Sequence, residues 1–228
     1  MARVELLSSE EHRELRLQRK PVGVHHFVQI VPSEFSAAAA CCPILFTKNA
    51  ETGRFIAGAM FGFRPDEDLI SHDPGASRAF SPIELERQGF FISDENIAVD
   101  LEHPRVSDNS GDRLFDDSGE PQEPMQRIQR ALGLLKRGTE ETDTFIQTLL
   151  DLRLIEPIDI SLRFDDGEQL RLDGLYTVSL DALHELGDAS VLSLFRNGYL
   201  RLAYCVAESL KQIPILAHRR NQRLAGAA

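Results

Sequence analysis

The sequence predicts an α+β fold, a mainly antiparallel sheet built from hairpins and packed against several helices. Three observations predict it. From Ile158 to Val178 apolar and polar residues alternate with a period of two, interrupted at Asp165-Asp166-Gly167, the pattern of two strands joined by a tight turn. Pro43–Lys48 and Arg54–Phe63 form a second hairpin candidate around the turn Asn49-Ala50-Glu51-Thr52-Gly53. Elsewhere apolar residues recur at helical spacing, as in Met125, Ile128, Leu132 and Leu135.

Taken in order, residues 1–20 mix both charge signs with scattered leucines and read as a fraying helix or an arm. Val24–Val31 reads as a strand. Ser33 is expected to cap a short helix that ends before Pro43, because the residue before proline is pushed out of the helical region. In Arg54–Phe63 both faces are apolar, which predicts a strand covered on both sides, and its small residues predict a close packing neighbour. Residues 64–81 read as a loop. Ser81 is expected to cap a short helix with Pro82 at its first position, stopping near Gly89, and Phe90–Ile92 and Asn96–Leu101 follow as strands.

Residues 102–123 read as an acidic surface loop anchored by Leu114 and Phe115. Gly138 then looks like a C-cap and Thr139 like a new N-cap. The expectation is an αα-hairpin whose second helix carries Phe145, Ile146, Leu149, Leu150 and Leu152. In the main hairpin a two-residue Asp166-Gly167 turn would place Phe164 opposite Gln169, so a longer turn or a bulge near Asp165–Glu168 is expected, pairing Phe164 with Leu170. Ser179 and Asp188 are expected to cap two short helices, the second buried through Val191, Leu194 and Phe195. A last helix from about Tyr199 should kink or end at Pro214, with His218, Arg219, Arg220 and Arg223 complementing its dipole.

Composition narrows the function classes. The 228 residues are 42% hydrophobic, enough for a core, and the net charge of −11 argues against nucleic-acid binding, which needs clustered Lys and Arg. Three cysteines cannot form a disulfide framework, and reduced thiols suit a cytoplasm. The first twenty residues carry charges throughout and lack a secretory h-region, and the longest near-apolar run, Phe35–Phe46, is too short to span a bilayer. A cytoplasmic protein without a transmembrane helix is expected.

Searching for chemistry finds no phosphate-cradling glycine loop, nucleophile elbow or zinc helix. Cys41-Cys42 reads as a pair of small core residues. His25 and His26 point to opposite faces of a strand, which disfavours a shared metal, and His26 reads as a core histidine. Two acidic turns, Asp108–Asp112 and Asp116–Glu120, fail the EF-hand pattern because Arg113 stands where a glycine is needed. Arg105 suits either a carboxylate ligand or an internal ion pair with Asp100, the latter favoured. Tyr176, Tyr204 and Ser209 are candidates to line a pocket beside the hairpin. No catalytic residue, metal site or cofactor is expected.

An ordered series of short features spans nearly the whole chain: Val31-Pro32 with Glu34-Phe35; Pro43 to Lys48 with Gly53-Arg54-Phe55; Pro104-Arg105; Leu114-Phe115 and Gly119; Gly138, Thr142 and Phe145; Asp166-Gly167; Gly174-Leu175-Tyr176; Gly198; and Tyr204 with Ser209. In this series the chain resembles the bacterial SapC family. It departs at His103, where the family usually has Ser before Pro-Arg, and at Ala79-Phe80, where an aromatic pair is common. The resemblance implies a single domain over 1–228 and a link to surface-layer loci. It also implies genomic neighbours such as TonB-dependent receptors, halogenase-like proteins and cupin-like hydroxylases, the latter two as partners. No catalytic residues carry over. The function it implies is a non-catalytic accessory or binding protein of a peptide or nutrient-uptake system. That protein would contact a partner protein or small ligand through a surface including Arg105, Gly174, Tyr176, Tyr204 and Ser209. The alternatives are a metal-dependent oxygenase or hydrolase using His26 or His103 with nearby acids, and an exported surface-layer component.

Overall fold

A computed structural model describes residues 3–70 and 80–227. Residues 71–79, the middle of the expected loop 64–81 and including Ala79, lie outside the described residues. The fold is α+β, with three antiparallel sheets and packed helices. In chain order the first elements are β1 (Val4–Leu6), β2 (Arg16–Leu17), β3 (Phe27–Gln29), α1 (Phe35–Ala39), β4 (Ile44–Lys48) and β5 (Phe55–Met60). Then come α2 (Ile83–Glu86), β6 (Phe90–Ser93), β7 (Asn96–Asp100), β8 (Val106–Ser107), β9 (Asp112–Arg113) and α3 (Glu123–Asp151). The main hairpin is β10 (Ile155–Arg163) and β11 (Gln169–Val178), followed by α4 (Leu180–His184), α5 (Asp188–Arg196), α6 (Tyr199–Ser209) and α7 (Gln212–Ala227).

The backbone forms two compact units, Met1–Gly23 with Pro82–Arg137, and Val24–Ser81 with Gly138–Ala228. In the first, sheets β1-β7-β6 and β8-β2-β9 enclose a core of Leu15, Leu17, Phe90, Val99, Val106, Leu114, Phe115, Met125, Ile128 and Leu132. The N-terminal stretch is therefore neither helix nor arm: it pairs Val4 with Asp100 and Arg16 with Ser107, and its leucines Leu15 and Leu17 are buried. Residues 102–123 contain β8 and β9, and Leu114 and Phe115 anchor them as expected. The α2 helix begins after Pro82 rather than after a Ser81 cap.

The second unit holds the five-stranded sheet β10-β11-β4-β5-β3. The expected strand 24–31 is only three residues long, and β5 is an interior strand as its two-sided apolar pattern required. Its small residues serve packing: a Cβ on Gly58 would sit 2.1 Å from the Phe27 ring. Ser33 caps nothing. A 3₁₀ turn, Pro32–Glu34, starts there instead, and the buried Glu34 carboxylate accepts the Val31 N–H at 2.9 Å. Phe145 packs edge-on against Phe35 at 6.0 Å and meets Phe46 at 6.3 Å and Tyr199 at 5.4 Å, forming the centre of this core.

The expected αα-hairpin does not form. Helix α3 runs unbroken through Gly138 and Thr139. Glycine is there because a Cβ would lie 2.5 Å from Val31 Cβ, and Thr142 returns its hydroxyl to the Gly138 carbonyl at 2.7 Å. In the main hairpin Phe164 faces Glu168, not Leu170: the Phe164 N–H donates to the Glu168 carbonyl at 2.9 Å around a three-residue connection ending in Gly167 at φ +88°. The apolar faces match all the same, because Leu162 pairs with Leu170. The connection is thus longer than two residues, as expected, and a further register irregularity lies along the strands, where Ile158 pairs with Leu175 but Ile160 pairs with Leu172. Ser179 caps α4 as expected, accepting the Ala182 N–H at 3.5 Å. Helix α5 is capped by Gly187, with Asp188 as its first residue. Pro214 neither kinks nor ends the last helix. The break falls at residues 210–211, and Pro214 sits in the first turn of α7, where its missing N–H has no intrahelical partner to lose.

Candidate functional site

The segment Gly174-Leu175-Tyr176, expected at a strand end, lies inside β11 and is shaped by the irregularity there. Asp173 and Gly174 together oppose Asp159, and Gly174 takes φ +76°, a left-handed conformation that favours glycine. The Gly174 carbonyl accepts the Thr47 hydroxyl at 3.3 Å, and the pairings Leu175 with Thr47 and Tyr176 with Phe46 set the strand into the sheet. Directly paired residues share a face, so Tyr176 lies on the Phe46 side of the sheet. It is half-buried, edge-on to Phe55 at 4.9 Å, with the Lys48 ammonium 5.2 Å from the Phe55 ring and 5.7 Å from its own. The result is an aromatic rim with one cation on it.

The other two members of the expected pocket have different surroundings. Ser209 is fully buried: its Oγ accepts the Ile44 N–H at 2.8 Å and donates to the Val206 carbonyl at 2.6 Å, which fastens α6 to β4. Tyr204 is 40% exposed, five residues earlier on the same helix and therefore well around its circumference. Ser209 is a structural clamp, and Tyr204 and Tyr176 are surface and rim residues. Helix α5, which packs on α6, adds surface of its own. Of its expected buried stripe only Leu194 is enclosed. Phe195 is 68% exposed and Leu192 46%, and their spacing of three puts them on one helix face.

Arg105, in the first unit, is fully buried. Its Nε donates to the Gln18 carbonyl at 3.1 Å, and Nη1 donates to the carbonyls of Leu85 and Glu86 at 3.0 and 2.6 Å, the last residues of α2. Its ionic partner is Glu86 at 3.8 Å, not Asp100, and Arg127 reaches the same carboxylate at 3.1 Å. Burial lowers the Arg105 pKa, and Glu86 opposes the shift. The guanidinium braces three segments of backbone. Beside it, His103 Nδ1 accepts the Arg105 N–H at 3.2 Å, and burial holds the imidazole below the usual histidine range.

The residue that sequence reasoning missed is Arg220. The sequence places it only among the charges that complement the dipole of the last helix, yet its side chain is only 7% exposed. It contacts Glu67 at 3.2 Å and Glu168 at 2.7 Å, and its guanidinium lies 4.1 Å from the centre of the Phe164 ring. Arg64 binds the same Glu168 carboxylate, and Arg223 donates to the Asp68 carbonyl. A local signal existed: Arg220 lies four residues after the fully buried Leu216, on the same face of α7.

Among the described residues no three His, Cys, Asp or Glu side chains converge as a metal site, and no helix is long and apolar enough to cross a membrane. No curated protein and no solved structure matches the chain. A family model described as SapC matches residues 7–216.

Proposed function

The chain belongs to the SapC family, and from that premise we propose that it is a non-catalytic accessory protein that binds a partner protein in the cytoplasm. The partner belongs to a peptide or nutrient-uptake or surface-layer-related system, with halogenase-like or hydroxylase proteins as the first to test. The observation that carries the reading is the solvent-facing apolar face of α5, Leu192 with Phe195, beside a helix that exposes Tyr204. Covering a Leu or Phe side chain contributes roughly 1.5–3 kcal/mol, so two on one helix face are a substantial anchor for a protein partner. The half-buried Tyr176 and Lys48 supply the kind of aromatic and cationic rim that orients such a contact.

The test is affinity purification of the native protein and of a Leu192→Ser/Phe195→Ser variant. Both side chains are exposed, so the variant keeps the parent's thermal stability. The expected result is loss of the co-purifying partner; capture of the same partner by the folded variant rejects this surface. Tyr176→Ala probes the rim in the same way. Cell fractionation tests the location: recovery of the protein outside the cytoplasm counts against it.

A further inference from the structure

Cys41 and Cys42 follow the last turn of α1. Their amides both donate to the Ala38 carbonyl, at 2.9 and 2.8 Å, and this common acceptor folds the two residues back onto the helix end. Both thiols come to the same side. Cys42 Sγ lies 3.3 Å from the Ala38 oxygen and Cys41 Sγ 3.4 Å from it, leaving the sulfurs 3.9 Å apart. Cys42 is fully buried and Cys41 half-exposed, so the expected pair of core residues is one core thiol and one surface thiol. The start of α7 meets the same helix end, where Gln212 Nε2 donates to the carbonyls of Ala39 and Ala40 at 3.4 and 3.3 Å.

This geometry favours a bridging atom over a direct sulfur–sulfur bond. Successive Cα atoms are about 3.8 Å apart, short of the roughly 4.4 Å at which the ordinary disulfide range begins. Two sulfurs bound to one metal at about 2.3 Å in a tetrahedral geometry stand about 3.8 Å apart, close to the spacing found here. Tetrahedral zinc needs four ligands, however, and among the described residues no set of three is present. A thiophile that takes only two sulfurs from the protein suits the pair.

We propose that Cys41 and Cys42 form a chelating dithiol for trivalent arsenic, as arsenite or as an organoarsenical. The reagent enters at Cys41: an As–OH group is replaced by the Cys41 sulfur, and water leaves with the thiol proton. The Cys42 sulfur then replaces the second As–OH with loss of a second water, closing the ring. Neither sulfur nor arsenic changes oxidation state. The hydrogen bond between the two thiols, with the Arg219 charge nearby, holds the Cys41 thiol below the usual range, while Cys42 is pushed up by its bond to Cys41 and by burial. The exposed sulfur is thus also the readier nucleophile.

The test is intact-mass analysis of the reduced, full-length protein after phenylarsine oxide. One phenylarsenic group per chain is expected. It should survive excess glutathione, a monothiol, and be released by dithiothreitol, because two sulfur bonds resist exchange that one does not. Cys205→Ser, which alters a half-exposed thiol elsewhere on α6, should keep this adduct, and Cys41→Ser should lose it. An adduct that glutathione strips from the parent, that persists in Cys41→Ser, or that requires Cys205 overturns the proposal. Cys42→Ser is the second arm; should that buried position fail to fold, the half-exposed Cys41→Ser decides alone.

Discussion

Arg220→Ala should be the most damaging single substitution of a charged residue in the second unit. The guanidinium is almost fully enclosed and contacts Glu67 at 3.2 Å and Glu168 at 2.7 Å, whose side chains are themselves only 15% and 23% exposed. Among the described residues, removing the cation leaves Glu67 without an ionic partner and Glu168 with the more exposed Arg64. Breaking a buried pair from one side costs about 3–5 kcal/mol, because the remaining charge stays desolvated. The stacking on Phe164 adds about 0.5–2 kcal/mol. Taking the pair term alone and a urea dependence of about 2–3 kcal/mol/M, the unfolding midpoint should fall by roughly 1–2.5 M. Urea denaturation followed by circular dichroism reads this directly. Hydrogen exchange should localise the loss to the Phe164 and Gly167 amides, whose turn bonds depend on the position of Glu168. Glu168→Gln should cost less in the Arg220→Ala background than alone, since the charge it removes is then a liability. A loss under about 1 kcal/mol, or unchanged exchange in the turn, would refute the view of Arg220 as the clamp between α7 and the hairpin.

Three further outcomes follow from other sites. Gly138→Ala normally gains about 1 kcal/mol in a helix interior, but here the new Cβ meets Val31, and overpacking costs about 1–3 kcal/mol. The variant should melt lower, and a rise in melting temperature would refute the packing role. Ser209→Ala should cost about 1–3 kcal/mol in denaturant unfolding, because the buried Ile44 N–H loses its acceptor; a variant as stable as the parent would show that Ile44 does not depend on it. Burial lowers the His103 pKa in the folded state, with Arg105 acting in the same direction and Asp100 against. Stability from the neutral imidazole is therefore complete above the unfolded value of about 6.5 and lost as pH falls through the folded value. His103→Gln should flatten the thermal stability across that window, and a parent and variant with parallel pH profiles would remove His103 as the source.

The site was legible in the sequence to different depths. The longer turn expected after Phe164 is present, but the alternation misplaces Tyr176: the extra residue at Asp173-Gly174 puts Leu175 on the face of Leu172 and turns Tyr176 to the other face. Ser209 looked like a pocket hydroxyl and is a clamp on Ile44, since helical periodicity says which residues are inside but not what they meet there. Phe195 looked like core because it is apolar at a helical position. Leu194 beside it is buried, while Phe195 stands in solvent. Arg105 was expected on the contact surface, or paired internally with Asp100; it is fully buried, offers no surface, and its ionic partner is Glu86.

The sequence by itself determined the α+β class, the two main hairpins, the shared apolar face of Ile160, Leu162, Leu170 and Leu172 and the Ser179 cap. Those features rest on periods of two and 3.6 residues and on hydrogen bonds between near neighbours, so a short window contains their whole cause. Tertiary structure alone decided that α3 runs through Gly138 and that Arg220 is buried. Both depend on what approaches from elsewhere in the chain: Val31 against a glycine, and Glu67 and Glu168 closing on one guanidinium. A glycine that ends a helix and a glycine that admits a neighbour are the same letter, and only the neighbour distinguishes them.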